Sequence, residues 1–269
     1  VQQAIAVLDS GVGGLTVVKE VLKQLPHEKV IYFGDTARSP YGPREAGEVR
    51  MFTRQIVDYL LQFQPKMIVI ACNTATAVAI EDIRARVSIP VIGVISPGAR
   101  AAIKSTRSGI VGVIGTDGTI RSKAYEKALR SISPEVEVYS EACPLLAPFV
   151  EQGLFSEGNA RSIVEQSLFQ LRDKPIDCLI LGCTHYPFLS DSISYVMGPE
   201  VTLISSADET VRDIQLILQQ RNMLAPANHL PVHQFFCSGE PTVFKEIAQN
   251  WLREEMALMP FVWQVPQFL

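Results

Sequence analysis

The chain has 269 residues, 47% hydrophobic and 19% charged, which suits one large or two small α/β domains and rules against disorder. A net charge of −4 and a pI near 5.7 give no general attraction to phosphate backbones, so nucleic acid is set aside as a partner. No apolar run reaches the roughly 18 residues that a membrane span needs, and the opening "VQQAIAVLDSG" lacks the basic start of a signal peptide.

In chain order, short Val/Ile-rich runs predict strands at 4–8, 29–33, 67–71, 90–95, 109–114, 136–139, 177–181, 200–204 and 232–237. Amphipathic stretches between them predict helices at 44–64, 74–87, 118–132, 156–172 and 207–221. Strands apolar on both faces need helices to cover them, so the alternation reads as α/β with mainly parallel sheet.

The first strand runs into "DSGVGGLTV" (9–17), a glycine-rich turn opening a helix. A dinucleotide site fails there: Thr16 stands where the third glycine belongs, and Asp9 would set a negative charge beside a pyrophosphate. Asp9 and Ser10 at the strand tip suit an ammonium group, and free loop N–H groups suit a carboxylate. The second strand ends in "DTARSPYGPR" (35–44), a shaped loop in which Tyr41 and Gly42 either make the turn or cover a small ligand.

The third strand breaks off into Cys72, Asn73 and Thr74, and the strand at 177–181 into Cys183, Thr184 and His185. "AVLDSGVGGLT" (6–16) and "GVIGTDGTI" (112–120) also correspond, with Ser10 matching Thr116 at nearly the offset that separates the two cysteines. This is a weak internal repeat. It predicts two pseudo-symmetric lobes, 1–95 plus 208–269 and 96–207, each a mainly parallel sheet flanked by helices. Ligands bind outside the carboxyl ends of such strands, so facing lobes bring both cysteines to one cleft.

Five cysteines without a CxxC pair indicate reduced thiols and a cytoplasmic setting. Cys178 and Cys237 read as small buried hydrophobes, and Cys143 has no polar surroundings in sequence. Cys72 and Cys183 differ, because each precedes hydrogen-bonding side chains at a helix start, where a thiolate is favoured. Zinc held by Cys72, Cys183, His185 and Asp9 lacks the usual ligand spacing, so no metal is expected. A Cys/His hydrolase leaves the second thiol without a role.

"LDSGVGGLTV", "GDTARSPYGPR", "ACNTATA", "PVIGVI" and "LGCTHYPFL" together resemble the bacterial glutamate racemases, of the cofactor-independent aspartate/glutamate racemase family. The resemblance runs from about residue 4 to at least 215. It implies interconversion of L- and D-glutamate for peptidoglycan synthesis, with no cofactor, no membrane and a homodimeric state. Carried onto this chain, it makes Cys72 and Cys183 the acid/base pair, with Cys183 on the L side and Cys72 on the D side. It makes Asp9, Ser10, Tyr41, Gly42, Asn73, Thr74, Thr184 and His185 the substrate contacts.

Elementary chemistry gives the thiols the same roles. Racemisation takes a proton from one face of the α-carbon and returns one to the other, and a thiol near pKa ~8.5 can act as acid or base around neutrality. Asp9 then assists Cys72 and His185 assists Cys183. The alternatives are a racemase of aspartate or another acidic amino acid, and a non-catalytic two-lobed protein that binds an amino acid. On the racemase reading, the cysteines are expected at strand ends that open onto solvent or a cleft, and not buried.

Overall fold

The runs that the sequence makes apolar on both faces are covered on both faces. The computed structural model describes residues 3–153, 157–256 and 261–264. Strands β1 (Ile5–Asp9), β2 (Val30–Gly34), β3 (Met67–Ile70) and β4 (Val91–Gly93) are buried at every residue. They alternate with helices α1 (Leu15–Gln24), α2 (Ala46–Leu61) and α3 (Asn73–Arg86). Helix α2 shows why: Val49, Phe52, Ile56, Val57 and Leu60 recur at three- and four-residue steps and form its buried face.

The chain then passes through α4 (Ile95–Ser105) into β5 (Ile110–Gly115), α5 (Asp117–Ser122), α6 (Ala124–Ile132) and β6 (Glu137–Ala142). Helices α7 (Leu146–Glu151) and α8 (Glu157–Ser167) lead to β7 (Cys178–Gly182), a 3-10 turn (Tyr186–Leu189), α9 (Ser190–Met197) and β8 (Thr202–Ile204). Helix α10 (Ala207–Gln220) returns to the first sheet, where β9 (His233–Cys237), α11 (Pro241–Trp251), α12 (Arg253–Met256) and β10 (Phe261–Gln264) complete the described fold.

Both sheets are entirely parallel, in the orders β10-β9-β2-β1-β3-β4 and β6-β5-β7-β8. Removing β9 and β10 leaves the same 2-1-3-4 arrangement in each. The weak sequence repeat is therefore a topological one. Cys72 follows β3 and Cys183 follows β7, the third strand of each unit.

The nine predicted strands all form, with every end within three residues of the expected one; the largest difference is at β6, which runs on to Ala142. Strand β10 had no counterpart in the sequence reading. The helix expected at 118–132 is two helices, because Lys123 adopts a left-handed conformation (φ 55°) that ends α5 and begins α6. The helix expected at 156–172 begins where residues 154–156 lie outside the described set, and it stops at Ser167. One apolar cluster spans the two sheets, joining Leu15 and Val18 on α1 to Val211 and Ile214 on α10 and to Leu146 and Tyr186.

The segment after α10 is tied to the first sheet by a buried ion pair. Lys66 Nζ and Glu28 Oε2 lie 2.5 Å apart, with the side chains 4% and 2% exposed. Lys66 also donates to the Met223 carbonyl (2.6 Å), and Glu28 Oε1 accepts from the Ala225 N–H (2.7 Å). Removing one partner of such a pair strands a charge in the interior. Lys66→Met is expected to lower the urea-unfolding free energy by about 3–5 kcal/mol. The double variant Lys66→Met, Glu28→Gln is expected to recover much of that loss, which a double-mutant cycle measures.

Candidate active site

Loops from the carboxyl ends of both sheets meet in a seam. Asp9 ends β1, and its carboxylate accepts from the Gly11 N–H (3.0 Å) and from the Thr184 hydroxyl (3.1 Å) across the seam. The approach is close enough to require glycine. A Cβ on Gly13 would lie 2.3 Å from Thr184 Oγ1 and 2.6 Å from His185 Nδ1. These turn glycines therefore serve contact between the lobes and not a pyrophosphate.

Cys72 caps helix α3. Its sulfur accepts from the Ala75 N–H (3.4 Å) and lies 3.7 Å from Ser10 Oγ. Burial pushes the Cys72 thiol up to about 12, and the Asp9 charge pushes the same way. The helix N–H and Ser10 oppose that push without cancelling it. A charge on Cys183 also raises Cys72, so the two sulfurs interact electrostatically.

Cys183 lies 3.4 Å from His185 Nδ1, and His185 Nε2 lies 2.5 Å from Glu151 Oε1. Burial works against a charged imidazole here, but the Cys183 and Glu151 negative charges outweigh it and hold His185 well above its ordinary value. A doubly protonated ring donates to both neighbours at once. Glu151 Oε1 also accepts from the Val12 N–H across the seam (3.0 Å). Asp9 is raised by its burial, although the neighbouring His185 charge opposes the shift.

Most of the sequence-derived candidates converge. Asp9, Ser10, Cys72, Thr184, Cys183 and His185 lie in one buried set of contacts. Thr74 Oγ1 is 2.8 Å from Thr116 Oγ1 and 3.2 Å from Thr119 Oγ1, and Asn73 Oδ1 accepts from the Tyr125 hydroxyl (2.6 Å). Tyr41 is different. Its phenol is buried and donates to Asp35, while the Gly42 carbonyl accepts from Gly118 N–H on the other lobe (2.8 Å). What this loop can present to a ligand is backbone.

One expectation needs correcting. Cys72 and Cys183 are buried, at 5% and 6% exposure, because the lobes close over the strand ends. Position at a strand tip places each sulfur in the seam. Cys143, Cys178 and Cys237 are buried too, and burial pushes the first two up to about 12. Among the described residues, no cluster of three or more His, Cys, Asp or Glu is arranged to hold a metal ion, so the four-ligand zinc alternative has no geometry behind it. Among the same residues no helix is long and apolar enough to cross a membrane.

Sequence reasoning missed Glu151, Thr119 and Tyr125. Glu151 lies at the end of α7, where no element was expected; a lone carboxylate in "APFVEQGL" was the available signal. Cavities approach the seam from two sides. One, of about 360 Å³, reaches Glu151 and Val12, and another, of about 180 Å³, reaches Thr74 and Gly118.

Residues 7–214 match the model of the Asp/Glu/hydantoin racemase family. The chain is 51% identical over 253 residues to the glutamate racemase of Oceanobacillus iheyensis, covering 94% of this chain and 92% of that protein. A crystal structure of a glutamate racemase isoform from Bacillus anthracis superimposes with a TM-score of 0.91 at 47% identity, covering 97% of both chains. The glutamate racemase of Francisella tularensis, solved in complex with D-glutamate, gives 0.89 at 34% identity, covering 99% of this chain and 98% of that one.

The His185 arrangement has a measurable consequence. A group whose folded pKa is raised adds stability that is complete below its unfolded value near ~6.5 and is lost as pH rises through the folded value. Nitrogen-15 spectra at pH 7 are expected to show both His185 ring nitrogens protonated. Glu151→Gln removes one of the two favourable charges, so the His185 midpoint falls and the alkaline loss of stability becomes shallower. An unchanged midpoint would mean that Glu151 does not hold the imidazolium.

Proposed function

The chain belongs to the Asp/Glu/hydantoin racemase family, and from that premise we propose that it interconverts L- and D-glutamate, supplying D-glutamate for peptidoglycan synthesis. The observation that carries the mechanism is the placement of two thiols at corresponding strand ends, one from each lobe, in a single seam. We assign the lobes as 1–95 plus 208–269 and 96–207, a division supported by the membership of the two sheets.

In this reading glutamate lies between Cys72 and Cys183, with Asp9 facing its ammonium group. Asn73, Thr74, Thr184 and backbone of the Tyr41–Gly42 loop face its carboxylates, and Ser10 flanks Cys72. One thiolate removes the α-proton and becomes a thiol, leaving a planar carbanion. The opposite thiol then protonates the other face and becomes a thiolate. The protein ends each turnover with its two sulfurs in exchanged states, and no cofactor takes part in the step.

Asp9 and His185 adjust the two sulfurs. His185, as imidazolium, stands beside Cys183 and can donate to it. Asp9 raises Cys72 in the free protein, and a bound ammonium offsets that charge, so substrate binding itself favours the Cys72 thiolate. A water-excluding seam strengthens each of these interactions. Acidic substrates other than glutamate would use the same chemistry. The family resemblance further supports a homodimer in the cytoplasm, and sedimentation of the purified protein tests the dimer.

The decisive experiment is racemisation of L-glutamate in deuterated water with no added cofactor. The D product is expected to carry α-deuterium while L substrate recovered early does not. Cys72→Ser and Cys183→Ser are each expected to abolish inversion, because a hydroxyl is too weak an acid to share the task. Cys72→Ser should still wash out the α-proton of L-glutamate, and Cys183→Ser that of D-glutamate. A flat polarimeter trace with reduced protein would overturn the activity. Equal early exchange in substrate and product would overturn the two-thiol assignment.

Alkylation reads the same site in another way. With its thiol pushed up to about 12 and buried, Cys72 is expected to react slowly with iodoacetamide at pH 7, and faster as pH rises. Asp9→Asn should speed that labelling, because it removes a charge that raises the thiol, while slowing racemisation. Peptide mapping with and without glutamate, which should protect, measures both effects.

A further inference from the structure

Asn73, the residue after Cys72, has a terminal amide whose two ends differ in circumstance. Its Oδ1 accepts from the Tyr125 hydroxyl at 2.6 Å, and its Nδ2 is buried with no hydrogen-bond partner among the described residues. An unpaired buried amide nitrogen costs roughly 1–3 kcal/mol, so a folded site that keeps one has a use for it.

Tyr125 decides which end faces which way. It sits on α6 in the second sheet's unit, 2% exposed, while Asn73 opens α3 in the first. Ser206 stands nearby: a Cβ on Gly98 would lie 3.2 Å from both Ser206 Cβ and the Tyr125 hydroxyl. The phenol donates its proton to Asn73, and only the carbonyl end of an amide can accept it. The ring is fixed as well. It packs against Gly182, where a Cβ would lie 3.1 Å from Tyr125 Cε2, and against Gly98, where a Cβ would lie 3.2 Å from the hydroxyl.

The corresponding residue in the other half shows the same device. Thr184, which follows Cys183, donates across the seam to Asp9. Each residue next to a proposed catalytic thiol is thus oriented by a side chain from the opposite lobe.

We propose that Tyr125 is a positioning residue: by holding the Asn73 carbonyl, it turns the Asn73 N–H₂ toward the carboxylate on the substrate's α-carbon. This rests on the glutamate racemase reading above. The choice of carboxylate follows from adjacency, since Cys72 must reach the α-carbon and Asn73 is its neighbour on the chain. The amide donates where negative charge builds as the proton leaves. Tyr125 itself touches no substrate.

Tyr125→Phe keeps the ring and its packing and removes only the hydroxyl. It is expected to lower kcat/KM about tenfold, the order of one lost hydrogen bond. Combined with Asn73→Ala, which removes the amide, it is expected to cost little further. Wild-type kinetics in Tyr125→Phe would overturn the proposal, and so would an equal additional loss in the Asn73→Ala background, because a purely structural role adds in both. Asn73 side-chain amide resonances give a readout independent of turnover. The two amide protons are expected to shift in Tyr125→Phe and to stay put in a distant control such as Phe169→Ser. Should the unmodified protein fail to racemise glutamate, the functional reading falls while the resonances still decide whether Tyr125 orients Asn73; unmoved resonances overturn the orientation itself.

Discussion

The seam depends on how closely two sets of strand-end loops can approach. Each parallel sheet delivers its functional side chains to one edge, and neither edge alone can address both faces of a tetrahedral carbon. The contacts that close the distance are short and polar: Thr184 to Asp9, Val12 N–H to Glu151, Thr74 to Thr116, and Gly118 N–H to the Gly42 carbonyl. Gly11 and Gly13 permit them by having no Cβ, since one at Gly11 would collide with the Glu151 carboxylate. The cost of this closeness is that both sulfurs are buried.

Burial also sets the electrostatics. Asp9, Glu151 and His185 sit together where water screens little, and each shifts its neighbours. The imidazolium is tolerated because a carboxylate and a sulfur flank it. Asp9 is tolerated because a backbone N–H, a threonine hydroxyl and the His185 charge face it. A substrate ammonium arriving at Asp9 would complete a pattern that the free protein leaves weighted toward negative charge.

Much of this was legible in the sequence, for physical reasons that can be named. Strands buried on both faces must be apolar throughout, so "IAVLD", "VIYFG" and "MIVI" announce themselves. The cysteines stood out because a polar triplet breaks each apolar run. What was hidden depends on tertiary contact. Glu151 acquires its role only when α7 swings it against His185, and Tyr125 looks like an ordinary helix-face aromatic until its hydroxyl meets Asn73. The left-handed Lys123 was invisible, since lysine carries no turn signal. Strand β10 escaped because "FVWQ" is an isolated four-residue run with no motif beside it to mark it.

The two halves share a topology, yet their chemistry differs. Cys72 is met by a helix N–H, Ser10 and the Asp9 charge, and Cys183 by an imidazole backed by a carboxylate. Such asymmetry cannot favour one product. Enantiomers have equal free energy in water, so for a racemase the overall equilibrium constant is one and kcat/KM must be the same from either side. Unequal sulfurs can alter only how that common ratio divides between kcat and KM, through which protonation state of the pair each enantiomer meets. A thiol raised by burial and by Asp9 makes the form with Cys72 protonated the favoured one in the free protein. Pseudo-symmetry thus supplies the two faces, and the unequal surroundings determine which form of the protein waits for substrate.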